Sequence, residues 1–371
     1  MNRIVVAVTN DLTYDRRMQR ICAALARAGY AVSLVGRRLP DSVALNSTSF
    51  EQVRLRCRFR KGPWFYAEYN IRLLWFLLRN PFDLAVACDL DTALAVHWAA
   101  RMRRRPSVFD AHELFTEVPE LAGRPLIRKV WSVIGRKTVP HFRLRYSVGP
   151  RIAEELTRRY GVPFAVIRNV PELDPSPVPA LAERHRVILY QGALNAGRGL
   201  EAAIDAMASL EGYALHLVGE GDLSQALRDR VRDRGLKDRV RFLGKVPPEA
   251  LPEHAMRAMV GLNLLEKQSL SYYYSLANKF FDYLHAGLPS INMDFPEYRT
   301  LVDETGVGMC LPELSSASLA LTLQQLLADP SNWQAIHMRC LTARATYHWG
   351  TEEPKLLQWY RDLVAPGNVT P

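Results

Sequence analysis

Three loops of this chain carry residues suited to holding an anion beside a diol. Asn278, Lys279 and Asp282 open a helix in the stretch NKFFDYLHAGLPSINMDFPEY. Lys279 and Asp282 are three apart and share a helical face. They make either a surface ion pair or the wall of a phosphate and hydroxyl site. A lysine in a helix's first turn opposes the macrodipole unless an anion is present. Gly287 stops this helix and Pro289 follows it. Arg198 stands between two glycines in ALNAGRG, at the entrance to another helix. A guanidinium fork there suits a diphosphate; the alternative is an arginine paired with a nearby acid. Gly219-Glu220-Gly221 lies between a strand and a helix, where backbone N–H groups can meet an anion. Tight turns also use that pattern with no ligand. No GxGxxG follows the first strand, which argues against a dinucleotide cofactor.

The first half offers other groups. His112-Glu113 ends the strand-like run PSVFDAH, so His112 is either a site residue or a structural histidine. HExxE is not the HExxH zinc pattern, and the five cysteines are scattered with no CxxC spacing. No metal is expected, and the thiols read as reduced. Arg16 and Arg17 follow TNDLTYD at a helix start, placed to meet an acceptor phosphate or simply to begin a helix capped by Asp15. Asp89-Leu90-Asp91 reads as helix capping before Thr92 rather than as a metal-binding DxD.

These residues need elements to position them. Short apolar runs (3–8, 30–37, 83–88, 106–112, then 185–192, 213–221, 239–245, 259–265 and 288–293) alternate with amphipathic helices. That pattern predicts α/β architecture: two Rossmann-like, doubly wound parallel-sheet domains. Residues 1–169 form the first, 170–184 a Pro-rich linker, 185–347 the second, and 348–371 a final helical segment. Ligands of such folds bind at the carboxyl ends of the strands, so a cleft between the two domains is expected. Residues 1–169 hold 29 Lys+Arg against 14 Asp+Glu, whereas residues 170–371 hold 19 against 24. The basic half suits an anionic partner. The run RLRCRFRKGPWFYAEYNIRLLWFLLRN (54–80) reads as an interfacial membrane helix or as a core helix with a basic preface. RMRRRP (101–106) adds positive charge, as attachment to an anionic membrane requires. No nucleic-acid motif is present. There is no secretory signal and no 18-residue apolar span, so the expected location is cytoplasmic, at the inner face of the cell membrane.

Several stretches resemble a known family in order and spacing: SVGPRIAEELTRRYGVPFAVIRNVPE, YQGALNAGRGLEAAIDAM, LHLVGEGD, RVRFLGKVP and NKFFDYLHAGLPSI. Together they resemble a GT-B glycosyltransferase, family 4-like and retaining. The resemblance implies two domains facing across a cleft, a nucleoside-diphosphate sugar as donor, and neither metal nor cofactor. It implies diphosphate binding by Arg198 and Lys279, ribose binding by Asp282, and sugar positioning by His112. It also implies donor contacts from Gly219, Gly221 and Asn278, and base recognition by backbone near Val246. Arg16 and Arg17 fall on the acceptor side. The acceptor implied is a glycan or a lipid-linked molecule at the membrane. Two positions depart from the family pattern: Tyr274 stands where it has a glutamate, and Ala193 where it has an arginine. They keep two rivals open, a non-catalytic membrane- or partner-binding subunit and a GT-B epimerase or phosphorylase.

Overall fold

The structure is a computed structural model, and it describes residues 1–364 apart from 41 and 122. The chain divides into two compact units, Met1–Asn169 with the segment from Glu352 onward, and Val170–Thr351.

The first unit is built on seven parallel strands: β1 (Arg3–Ala7), β2 (Ala31–Arg38), β3 (Glu51–Arg56), β4 (Leu84–Cys88), β5 (Ser107–Ala111), β6 (Leu144–Ser147) and β7 (Ala165–Val166). Their order is β3-β2-β1-β4-β5-β6-β7. The chain winds from β1 to one edge and then restarts at β4 toward the other. The switch between β1 and β4 is where such sheets bind ligands. LAVAC and SVFDA are buried at every position, as expected of strands covered on both faces. Asp15 caps the Arg16–Arg27 helix through the N–H of Met18. Part of the basic preface expected before a long helix is instead the edge strand β3, paired along β2. The helix itself runs Gly62–Arg79.

The second unit has six parallel strands: β8 (Val187–Gln191), β9 (Ala214–Val218), β10 (Val240–Gly244), β11 (Val260–Asn263), β12 (Ser290–Met293) and β13 (Gly308–Leu311). The order β10-β9-β8-β11-β12-β13 places its switch between β8 and β11. The Pro-rich stretch belongs to this unit. Val170 is part of its core, and Arg184 is buried, donating to the carbonyls of Pro179, Ala258 and Ala286. The last helix, Trp349–Val364, joins the first unit from Glu352 onward: Tyr360 and Tyr146 share a buried hydroxyl contact of 3.1 Å. No helix among the described residues is long and apolar enough to cross a membrane.

Candidate functional site

In the second unit, the loop after β8 and the helix Asn278–His285 bring two cations together. Arg198 lies over the Tyr272 ring, with 4.9 Å from its guanidinium carbon to the ring centre. Its Nε is buried with no hydrogen-bond partner. Lys279 is only 8% exposed, and its Nζ stands 3.8 Å from the centre of the Tyr190 ring. The ammonium also lies against Gly192; a Cβ there would be 3.3 Å from it. Burial, then repulsion from Arg198, push the Lys279 pKa well below 10.5, and Asp282 only partly offsets them. Asp282 Oδ2 accepts from Gln191 Nε2 at 2.9 Å, which fixes the carboxylate beside the end of β8. Two cations this close at a sheet's switch point cost the protein stability, and their chemistry suits an anion. Asn278 is exposed in the first turn of the same helix.

The two glycines after β9 do a different job from the one expected. Gly219 donates its N–H to Gly244 at 2.8 Å, and Gly221 donates to Ser224 Oγ at 2.9 Å. Neither N–H is left for an anion. They are glycines because the backbones touch: a Cβ on Gly219 would sit 1.9 Å from the Gly192 carbonyl oxygen, at a φ of +139°. One on Gly221 would meet Asn195 Oδ1 at 2.2 Å. They hold the loops after β8 and β9 together and so shape the site from behind. Val246 turns its side chain into a small core with residues such as Val187 and Leu189.

The first unit has its own polar centre at the β1–β4 switch. Arg17 is not on the surface. It is 4% exposed and bridges to Asp110, with Nη2 to Oδ1 at 2.9 Å and Nε to Oδ2 at 3.2 Å. Its Nη1 donates to the Ile167 carbonyl at 3.0 Å. The expected acceptor-phosphate role of Arg17 therefore gives way to a buried structural ion pair. Arg16, next to it, is half-buried. Burial works against the Asp110 charge, but Arg17 and His112 hold its pKa below the ordinary value.

His112 lies between two carboxylates, Nε2 at 3.5 Å from Asp110 and Nδ1 at 3.7 Å from Asp89. Burial alone would lower its pKa; Asp110 and Asp89 outweigh that and hold it at about 9. Asp89 does not cap its helix. That helix begins at Leu90, two residues before Thr92, and the Asp89 carboxylate turns back to accept the His112 N–H at 2.9 Å. The residue has φ 60° and ψ 175°, a conformation nearly reserved for glycine. Holding it there costs on the order of 1–3 kcal/mol. Burial pushes Asp89 up to about 8 and Asp91, which accepts from the Thr9 hydroxyl, up to about 6. Cys88, Asp110 and His112 also approach one another closely enough to suggest a cation centre. The donors do not fit one: both Asp110 oxygens are engaged by Arg17, and burial raises the Cys88 thiol pKa well above its ordinary value.

Residues 15–172 match the family described as Glycosyltransferase Family 4, and residues 185–329 match Glycosyl transferases group 1. A sucrose-phosphate synthase from Thermosynechococcus elongatus shares the fold, with a TM-score of 0.79 over 98% of this chain and 99% of that one, at 18% identity. The chain belongs to the GT-B glycosyltransferases. The Anabaena protein HepE, in a structure with UDP-glucose, matches with a TM-score of 0.74 at 14% identity, over 98% and 100% of the two chains. In sequence, a phosphatidyl-myo-inositol mannosyltransferase of Mycobacterium leprae is 23% identical over 311 residues, covering 82% of this chain and 80% of its own.

Sequence reasoning passed over several residues that shape this candidate site. Gln191 holds Asp282, Tyr190 lies under Lys279, and Tyr272 lies under Arg198. A glutamine ending an otherwise apolar strand, VILYQ, was a readable signal for the first. In the SYYYS segment, Tyr273 packs on Phe295 and beneath Lys267, while Tyr274 stands beside Tyr273 at the end of a short helix.

Proposed function

We propose that this glycosyltransferase uses a nucleoside-diphosphate sugar, with the diphosphate on Arg198 and Lys279. The observation that carries the reading is the pair of crowded cations at the β8–β11 switch, with the Arg198 Nε unsatisfied. A diphosphate would relieve their repulsion and fill that donor. Asp282 and Asn278 would meet the ribose and the adjoining backbone, and the segment at Val246 the base. As the glycosidic bond breaks, charge grows on the leaving phosphate, and fixed cations stabilise it there. No protein nucleophile is assigned: in a same-face reaction with retention, the leaving phosphate takes the acceptor's proton. His112 would contact the transferred sugar, and no metal enters. UDP-sugars are the first donors to try, because HepE is described with UDP-glucose. Binding of UDP, GDP, dTDP and ADP, read by thermal shift, tests this. One diphosphate should raise the melting temperature selectively; a flat response to all four would overturn the donor assignment.

The acceptor we propose is a glycan or lipid-linked molecule reached at an anionic membrane surface. The helices Gly62–Arg79, Leu90–Arg103 and Pro125–Thr138 pack side by side in the first unit. Each turns apolar residues to solvent at helical spacing: Trp64 and Trp75, Trp98 and Met102, Leu126 and Val130. Leu126 is 78% exposed and Trp64 is 70% exposed. Exposed Arg101, Lys129 and Arg136 lie among them. Aromatic and aliphatic side chains mixed with arginine and lysine match the chemistry of an anionic lipid interface. The full chain should sediment with vesicles containing phosphatidylglycerol and not with pure phosphatidylcholine. A Trp75→Glu, Val130→Glu double variant should stay in the supernatant with its melting temperature unchanged. Equal recovery of both proteins with the acidic vesicles would remove the membrane reading and leave the donor reading intact.

A further inference from the structure

Asp89 combines two features that a helix start does not need. Its backbone occupies a positive-φ, extended-ψ conformation that essentially only glycine adopts without strain. Its carboxylate leaves the helix it precedes and reaches across to β5's outgoing loop, where it accepts the His112 N–H at 2.9 Å and stands 3.7 Å from Nδ1. The other ring nitrogen faces Asp110, which Arg17 holds rigidly from the first helix. The imidazole thus lies between a carboxylate held by an arginine and one bonded to the backbone N–H of His112 itself, and its buried Nε2 has no hydrogen-bond partner.

We propose that Asp89 is a positioning residue for His112, fixing where the ring stands so that it meets the reaction as a hydrogen-bond donor and not as a base. This rests on the reading of His112 as a contact to the transferred sugar. The other charged groups around the pair are Asp91 and Glu113, both of which oppose ionisation of Asp89, and Arg17, which opposes the charge on His112. Arg37 acts on Asp91 from β2. Asp110 and Asp89 favour the imidazolium most, and Asp91 also interacts favourably with it. Asp89 is ionised only above about pH 8, which is where the ring titrates, so removing its charge should make the His112 proton leave at lower pH. Losing the carboxylate altogether also frees the ring to rotate away from Asp110.

Two substitutions separate positioning from simple structural support. Asp89→Asn keeps a carbonyl oxygen for the His112 N–H and removes the negative charge. Asp89→Gly removes the side chain and relieves the positive φ. Ring titration by NMR, with the His112 signal assigned by its loss in His112→Gln, needs no substrate. In the native protein the midpoint should lie near the value of about 9 that its surroundings impose, and Asp89→Asn should lower it by at least one pH unit. With a sugar donor built on the nucleoside diphosphate that the thermal-shift series selects, Asp89→Asn should lose at least tenfold in kcat with the donor KM within twofold. The alkaline limb of its pH profile should move to lower pH in step with the titration. Asp89→Gly should lose at least as much kcat while its melting temperature holds or rises. An unchanged midpoint and an unchanged kcat in Asp89→Asn would overturn the proposal. So would an Asp89→Gly protein whose melting temperature and kcat fall together, since that is the signature of a structural part. If no nucleotide binds at all, the donor assignment fails, and the NMR midpoint still decides the Asp89–His112 coupling.

Discussion

Lys279→Ala will cost roughly 10- to 100-fold in nucleoside diphosphate affinity, the range of one charged hydrogen bond, while the ligand-free protein becomes no less stable. Both halves follow from one observation. Burial and the neighbouring Arg198 depress the Lys279 pKa well below 10.5. Between that depressed value and 10.5 the unfolded chain holds more protons than the native protein, so stability rises with pH through this window. Below the native value the lysine is charged in both states, and its penalty on folding is largest. Deleting it removes the penalty and with it the attraction for phosphate. A bound diphosphate reverses the balance, because two negative phosphates favour the protonated amine. Nucleotide binding inside that pH window should therefore take up a proton. Titration calorimetry in two buffers of different ionisation enthalpy measures the uptake directly, and Lys279→Ala should abolish it. Wild-type affinity in a well-folded Lys279→Ala protein would remove Lys279 from the site.

Arg17→Ala will be the most damaging single change at the polar centre of the first unit, at about 3–5 kcal/mol. It leaves Asp110, which has no exposed surface, without its bidentate partner, and it strands the Ile167 carbonyl. Urea unfolding should show the midpoint falling sharply. The double variant Arg17→Ala, Asp110→Asn should recover part of the loss, since the uncompensated charge is gone. A surface arginine meeting an acceptor would behave differently, with stability unchanged and only activity reduced. A midpoint within experimental error of the native one would restore that earlier expectation.

Much of the architecture could be read in the residues because its signals are local. VILYQ, LAVAC and SVFDA are mostly apolar and buried at every position, as strands covered on both faces must be. The positions of Arg198 and Lys279 at helix entrances were visible for the same reason. What escaped depends on partners distant in sequence or on backbone angles. Arg17 looks like any helix-start arginine until Asp110, 93 residues away, is placed beside it. Gly219 looks like a phosphate-loop glycine until Gly192 is seen pressed against it. Nothing in CDLDT announces a positive φ at an aspartate. In PLIRKVWSVIGRK only packing decides that Trp131 turns inward while Leu126 and Val130 stay in solvent. Short strands such as β7 and β13 offer too few residues for periodicity to register.

The return of the last helix to the first unit has a consequence for how the chain is made. Val170–Thr351 is a continuous stretch, while the first unit is split around it. The inner unit is complete in sequence once Thr351 has been added, before the first unit has received its last segment. The first unit emerges earlier but must wait, with Tyr146 and its neighbours uncovered, until Leu356 and Tyr360, both fully buried in the finished protein, have left the exit tunnel. The part born first is completed last, so a premature stop near residue 350 would spare the younger unit and leave the elder one open.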